Sequence, residues 1–324
     1  AGRVCFEAMA ALLIEGELPP PEALAALRRQ VAEARLHAFD ALPRVVLARP
    51  SGMDALRAAV AGLDASDDPA ETRALLLGAV GTFAAAWLRL RRGEEPLAPD
   101  PARGHAEDVL RMSGAPCAPL RVRAFDRYLV TVAEHGMNAS TFTARVVAST
   151  RADAVSAVTA ALGALKGPLH GGAPGPVLDM LDAIGEPGNA EAWLAGELAA
   201  GRRIMGLGHR VYRVRDPRAA VLEAGVAELE AAGVRSRYLE LARAVEKQAV
   251  DVLAARHPGR PLEANVEFYT AVILDAVGLP RAAFTPAFAT ARVAGWLAHV
   301  EEQARCGRLI RPSQRYVGPL AAAG

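Results

Sequence analysis

Acid–base chemistry near neutral pH needs a side chain that can gain or lose a proton there, and histidine is the one suited by its ordinary pKa. The chain has seven: His37, His105, His135, His170, His209, His257 and His299. His37, His105, His257 and His299 read as surface or core residues; His257 precedes Pro258 and Gly259 in a loop, and His299 lies inside a long helical stretch. His135, His170 and His209 differ. Each abuts a glycine, and each falls at a helix boundary. Glycine lets a backbone or ligand come close, and helix ends expose unpaired N–H and C=O groups. Three histidines in that setting point to a polar site assembled from distant parts of the chain.

Other site chemistries fit poorly. The three histidines are far apart in the chain and no HExxH or HxH pair occurs, so no metal set is expected. Gly206 and Gly208 lack the third glycine and preceding strand of a dinucleotide fingerprint. No GxxxxGK[ST] is present, which argues against a P-loop nucleotide hydrolase. Ser140, close to His135, reads as a helix N-cap rather than a nucleophile.

The elements that must position these groups read as helices. Pro21 to Phe39 repeats apolar residues at Leu24, Leu27, Val31 and Leu36. Glu71 to Leu90 is apolar on nearly every side, as for a helix packed all round or at a subunit interface. Asp126 to Glu134 and Ser140 to Leu165 continue the pattern. Asp216 and Pro217 open a helix with Leu222, Val226 and Leu229 on one face, closed by Gly233. Tyr238 to Val252, Ala264 to Val277 and Phe284 to Cys306 follow. Period-two alternation is absent, so the fold class is all-α.

Composition bounds the rest. Of 324 residues, 52% are hydrophobic and 23% charged, enough for a buried core and contrary to disorder. Basic and acidic residues number 37 and 36, so neither nucleic acid nor an anionic membrane is an expected partner. Lys166 and Lys247 are the only lysines, and the other basic residues are all arginine, the side chain that clamps carboxylates with a planar fork. Cys5, Cys117 and Cys306 are scattered, as for reduced thiols in a cytoplasmic protein. The apolar run Leu75 to Leu88, flanked by Arg73 and Arg89, is short for a membrane span and reads as a buried helix.

Four segments carry a resemblance. GALKGPLHGGA (Gly163 to Ala173), IMGLGHRVYRVRDPR (Ile204 to Arg218), NVEFYTA (Asn265 to Ala271) and RLIRPSQRYVGP (Arg308 to Pro319) resemble the active-site signatures of the citrate synthase family. EHGMNASTFTARVVAS (Glu134 to Ser149) is similar to its oxaloacetate-side segment. The match runs in order from about residue 5 to the end, with a leading family segment expected before Ala1. The resemblance implies a citrate synthase-like fold, all-α: a large domain over 1–170 and 276–324, a smaller closing domain over 171–275, and a homodimer. It implies condensation of acetyl-CoA with oxaloacetate to citrate and CoA, with no cofactor beyond the thioester substrate. Catalytic residues carry over as His170, His209 and Glu267. Oxaloacetate contacts carry over as His135, His209, Arg218, Arg292 and, from the neighbouring subunit, Arg311. Arg213 falls where the family contacts CoA.

The chemistry agrees with those roles. Thioester methyl protons are very weakly acidic, so a carboxylate base such as Glu267 needs a donor, His170, on the thioester oxygen. His209 suits polarisation of the oxaloacetate carbonyl, and arginine forks suit a dicarboxylate. Most of the family has aspartate where this chain has Glu267, which adds about 1.5 Å of reach. Gly136 replaces an acidic residue common after the histidine of that segment. A 2-methylcitrate synthase using propionyl-CoA is the alternative, because one methylene in an apolar pocket is worth only about 1–3 kcal/mol. A non-catalytic paralogue that binds CoA or dicarboxylates is a third reading.

Overall fold

Fifteen α-helices are present among the described residues, with no β-strand, so the all-α expectation holds. The computed structural model describes residues 2–171, 174–208, 214–256 and 263–318. The helices are α1 (Phe6–Glu15), α2 (Pro21–Asp40), α3 (Arg44–Leu47), α4 (Gly52–Val60), α5 (Pro69–Arg91), α6 (His105–Met112), α7 (Pro119–Val132) and α8 (Ala139–Ser149). They continue as α9 (Ala154–Leu165), α10 (Pro174–Ile184), α11 (Ala190–Ala199), α12 (Pro217–Ala231), α13 (Leu239–Arg256), α14 (Val266–Ala276) and α15 (Phe284–Cys306). Among the described residues a single isolated antiparallel bridge joins Leu207 to Ala264.

Two expectations need correction. The periodic stretch from Ser140 to Leu165 is two helices rather than one. Arg151 takes a left-handed φ of 66°, and the Asp153 side chain then accepts the Ser156 N–H at 2.8 Å to start α9. The apolar period runs through the break because α8 and α9 pack on each other. The cap of α8 is also not Ser140 but Asn138, whose Oδ1 accepts the Thr141 N–H at 3.1 Å. That leaves the Ser140 hydroxyl available to other partners.

Two long helices organise the core. Helix α5 is long and apolar enough to cross a membrane by length and composition, but 78% of its most apolar window is buried inside the protein. It packs against α2, α4 and α15, and Gly78 admits α2 closely, since a Cβ there would lie 2.8 Å from the Arg35 backbone nitrogen. Helix α15 is the second. It packs against α1, α5, α7, α8 and α9, with Phe284, Trp296 and Leu297 buried. Because α7, α8 and α9 end or begin beside two of the glycine-flanked histidines, α15 is the element that relates them.

Near α5 a buried ion pair joins Arg35 of α2 to Asp108 of α6 at 2.9 Å, both side chains almost fully enclosed. His105 lies beside it, stacked on Phe6 at 5.0 Å between ring centroids. Both ring nitrogens of His105 are buried with no hydrogen-bond partner among the described residues. Burial first, and the Arg35 charge second, lower its pKa to about 3. An unfolded histidine titrates near about 6.5. The contribution of neutral His105 to stability is therefore fully present above that pH. It is lost as pH falls toward the native value, at up to about 1.4 kcal/mol per pH unit. We expect His105→Phe, which keeps the stack on Phe6, to lose less Tm than the parent between pH 6.5 and 5. Equal losses would show that His105 is not the group responsible.

Candidate active site

The α7–α8 connection carries His135 and is held from both sides. On the near side, Arg292 of α15 donates from Nε to Val132 O at 2.8 Å. On the far side, Asn138 caps α8, and its side-chain amide donates to Gly136 O at 3.2 Å. Between them Gly136 takes a left-handed φ of 58°, a conformation glycine adopts without a Cβ penalty. The sequence reading of Gly136 as a lost acidic side chain thus has a backbone counterpart: the position is a turn.

Arg218 reaches His135 from the start of α12, with Nη2 3.3 Å from His135 Nε2. Its guanidinium is aimed by Asp216, the buried N-cap of α12. Asp216 Oδ1 accepts from the Arg218 backbone N–H at 2.9 Å, and Oδ2 accepts from Arg218 Nη2 at 2.7 Å. The same Oδ2 accepts the Val266 N–H at 3.2 Å, so one carboxylate ties α12 to α14. Arg292 approaches from α15. It is 2% exposed, and its guanidinium lies over the Phe288 ring at 4.7 Å. Burial, opposed by Glu134 and reinforced by the like charge of Arg218, lowers its pKa to about 10. Among the described residues Arg292 makes no ion pair with a carboxylate, and Glu134 and Glu267 favour its charge only from a distance.

His170 follows α9, and its ring is T-shaped to Phe288, 6.5 Å between centroids. Its Nε2 lies 2.8 Å from Ser140 Oγ, which also accepts from buried Trp296 Nε1 at 3.0 Å and lies 2.8 Å from Asn138 Oδ1. The hydroxyl has one proton, so with Trp296 donating to it that proton goes to Asn138 or to His170. Directed at His170, it leaves Nδ1 as the protonated ring nitrogen. Burial, then the Arg292 charge, lower the His170 pKa to about 4, so the ring is neutral at pH 7.

Glu267 is the second residue of α14, where its own N–H donates to the capping Asn265 Oδ1 at 3.1 Å. Burial raises its carboxyl above the usual range, while its own backbone N–H and the charges of Arg218 and Arg292 pull partly the other way. The loop before α12 is tied to this helix start. Asn265 N donates to Gly206 O at 2.9 Å, and Gly208 N to Glu263 O at 2.8 Å. Gly206 must be glycine for this approach, since a Cβ there would sit 2.8 Å from the Phe268 ring.

His135, His170, Arg218, Glu267 and Arg292 are thus brought together from five elements. His209 and Arg213 lie outside the described residues. Arg311 is exposed on the segment after α15. Sequence reasoning missed Ser140 as the partner of His170, because the cap explained it. It also missed Phe288 and Trp296, although the spacing 288, 292, 296 places them on the Arg292 face of α15. Tyr128, whose buried hydroxyl has no partner among the described residues, gave no sequence signal; its pKa is raised by burial and opposed by Arg292.

Comparison with known proteins follows the same outline. The family description "Citrate synthase, C-terminal domain" matches residues 1–313. "Putative citrate synthase 2" of Mycobacterium tuberculosis is 50% identical over 214 residues, which are 66% of this chain and 56% of that protein. The chain therefore spans little more than half the length of that relative. "2-Methylcitrate synthase" of the same organism is 38% identical over 333 residues, covering 98% of this chain and 82% of the relative. Among solved structures, citrate synthase from Thermoplasma acidophilum in a ternary complex with carboxymethyl coenzyme A and oxaloacetate superposes with a TM-score of 0.85 at 27% identity. That similarity covers 99% of this chain and 87% of the other.

Histidine-resolved NMR titration tests the electrostatics without assuming an activity. His170 should titrate near pH 4. Arg292→Met should move its midpoint upward, because a positive neighbour is removed. A His170 midpoint near 6.5 in the parent, or no movement in the variant, would contradict this picture.

Proposed function

This chain belongs to the citrate synthase family, and from that premise we propose that it condenses acetyl-CoA with oxaloacetate to give citrate and CoA. The observation that carries this reading is the meeting of a neutral histidine, a carboxylate with a raised pKa and two arginines beside His135. In this mechanism Glu267 removes a proton from the thioester methyl group. Burial supports that role by raising the carboxyl toward working pH, where a base is most effective. His170 donates from Nδ1 to the thioester oxygen as negative charge develops, which requires the Ser140 proton to turn from Asn138 Oδ1 to Nε2. A neutral donor serves well here, since it need not release a proton to be effective.

The enol carbon then attacks the oxaloacetate carbonyl, polarised by His209. Arg218 and Arg292 hold the two carboxylates, with His135 between them and Arg311 added from a second subunit. Hydrolysis of the citryl thioester by one water releases CoA, which Arg213 contacts. Residues 171–275 act as the closing domain over 1–170 and 276–324, excluding bulk water. No cofactor takes part; coenzyme A enters as the thioester substrate. A 2-methylcitrate synthase using propionyl-CoA is the second reading, supported by the relative of that name.

CoA release with acetyl-CoA and propionyl-CoA, each with oxaloacetate, separates the two readings. We expect the acetyl thioester to be preferred; a higher kcat/KM for the propionyl thioester would establish the second reading. Glu267→Gln should lower the rate by several orders of magnitude and leave oxaloacetate affinity within a few-fold. Near-parental turnover would remove Glu267 as the base. In the parent, turnover should fall on acidification as Glu267 takes its proton, with a midpoint above about 4.3, the ordinary glutamate value. Light scattering should give twice the mass of one chain. Full activity at the mass of one chain would exclude a shared site.

A further inference from the structure

Three positions on one face of α15 meet the stretch just ahead of His135. Arg292 holds Val132 O. At Gly295 an added Cβ would lie 2.3 Å from Ala133 O and 2.6 Å from Glu134 Oε2, so the helix lies directly on this backbone. One turn later, His299 Nε2 is 3.2 Å from Glu134 Oε1. The spacing 292, 295, 299 is that of a single helical face. Across the imidazole, Arg145 Nη1 is 3.0 Å from His299 Nδ1. A guanidinium can only donate, so Nδ1 accepts, and Nε2 carries the proton that it donates to Glu134. Glu302 in turn holds Arg145.

At the carboxylate end, the Arg292 charge and the Gly136 N–H also favour the ionised Glu134, and His299 supplies its side-chain hydrogen bond. Glu134 Oε2 is buried without a hydrogen-bond partner among the described residues, and the bond from His299 is what fixes Oε1. Glu134 immediately precedes His135, while the next anchor, Asn138, lies beyond the left-handed turn at Gly136. Without the Glu134 bond, the stretch between Val132 O, held by Arg292, and Gly136 O, held by Asn138, loses its middle anchor. A misplacement of about 1 Å at a binding group can cost on the order of a hundredfold.

We propose that His299 and Glu134 are positioning residues that set His135 against Arg218 and so determine oxaloacetate affinity. This rests on the proposed function for the role of His135. The consequence is selective. Oxaloacetate binding depends on the placement of His135, whereas acyl-CoA binding at saturating oxaloacetate and the proton transfers at His170 and Glu267 do not.

The test compares steady-state kinetics of the parent, His299→Ala and His299→Gln. In His299→Ala the oxaloacetate KM should rise at least tenfold, with kcat and the acetyl-CoA KM within threefold. His299→Gln keeps an N–H that reaches Glu134 and should return the oxaloacetate KM to within threefold of the parent. Free imidazole should partly restore His299→Ala, because Glu134 and His299 line a cavity of about 280 Å³ that gives it access. A purely structural role predicts a different pattern: lower kcat at unchanged KM, with no benefit from glutamine or imidazole. That pattern, or an oxaloacetate KM within threefold in His299→Ala, overturns the proposal. If His299→Ala does not fold, Glu134→Ala provides the same test by removing the acceptor, with the same expected rise in KM and the same overturning result. A parent that releases no CoA from acetyl-CoA and oxaloacetate would instead overturn the proposed function.

Discussion

Burying the Arg292 guanidinium is the constraint around which the site is arranged. A charge at 2% exposure is costly, and its direct support is one backbone carbonyl and the face of Phe288. Arg218, oriented by Asp216, sits near enough to add repulsion. Arg218 has Asp216 as its carboxylate partner, whereas Arg292 has no carboxylate at ion-pair distance among the described residues, so an anionic ligand relieves Arg292 most. The same positive field acts on the neighbouring titratable groups. It helps to depress His170 and opposes the rise of Glu267.

Those opposite shifts suit the two residues to the donor and base roles proposed for them. His170 loses its charge to burial and to a cationic neighbour, which makes it a neutral hydrogen-bond donor at pH 7. Glu267 is pushed upward by burial at a helix start that would otherwise favour the carboxylate. Two titratable groups whose environments move them in different directions are the usual mark of an assigned donor and base. Helix α15 relates them, since its Arg292 charge reaches both and its Trp296 anchors the Ser140 hydroxyl that holds His170.

Much of this was legible in the chain before any coordinates. Helical periodicity located α2, α5, α12 and α15 to within a residue or two, because each buries an apolar stripe over several turns. Glycine beside histidine marked His135 and His170, because close approach at a helix end needs both a missing Cβ and exposed backbone groups. The α8–α9 break was hidden, since both helices bury apolar faces across it and only the Asp153 cap and the Arg151 backbone reveal it. The Ser140 contact was hidden for a different reason. A serine two residues after an asparagine is compatible with either one capping the helix, and only three-dimensional placement assigns the cap to Asn138. The bond from Trp296 to Ser140 joins residues remote in sequence, so the helical spacing that places Trp296 beside Arg292 does not reveal it.

The central claim is that Arg292, buried and without a protein carboxylate partner among the described residues, is held for a dicarboxylate ligand. Calorimetric titration of the intact protein with oxaloacetate, before and after Arg292→Met, addresses it most directly. The account predicts one oxaloacetate per chain in the parent and at least a hundredfold weaker binding in the variant, with acetyl-CoA binding tightly only once oxaloacetate is present. Oxaloacetate affinity within threefold of the parent in Arg292→Met would contradict it.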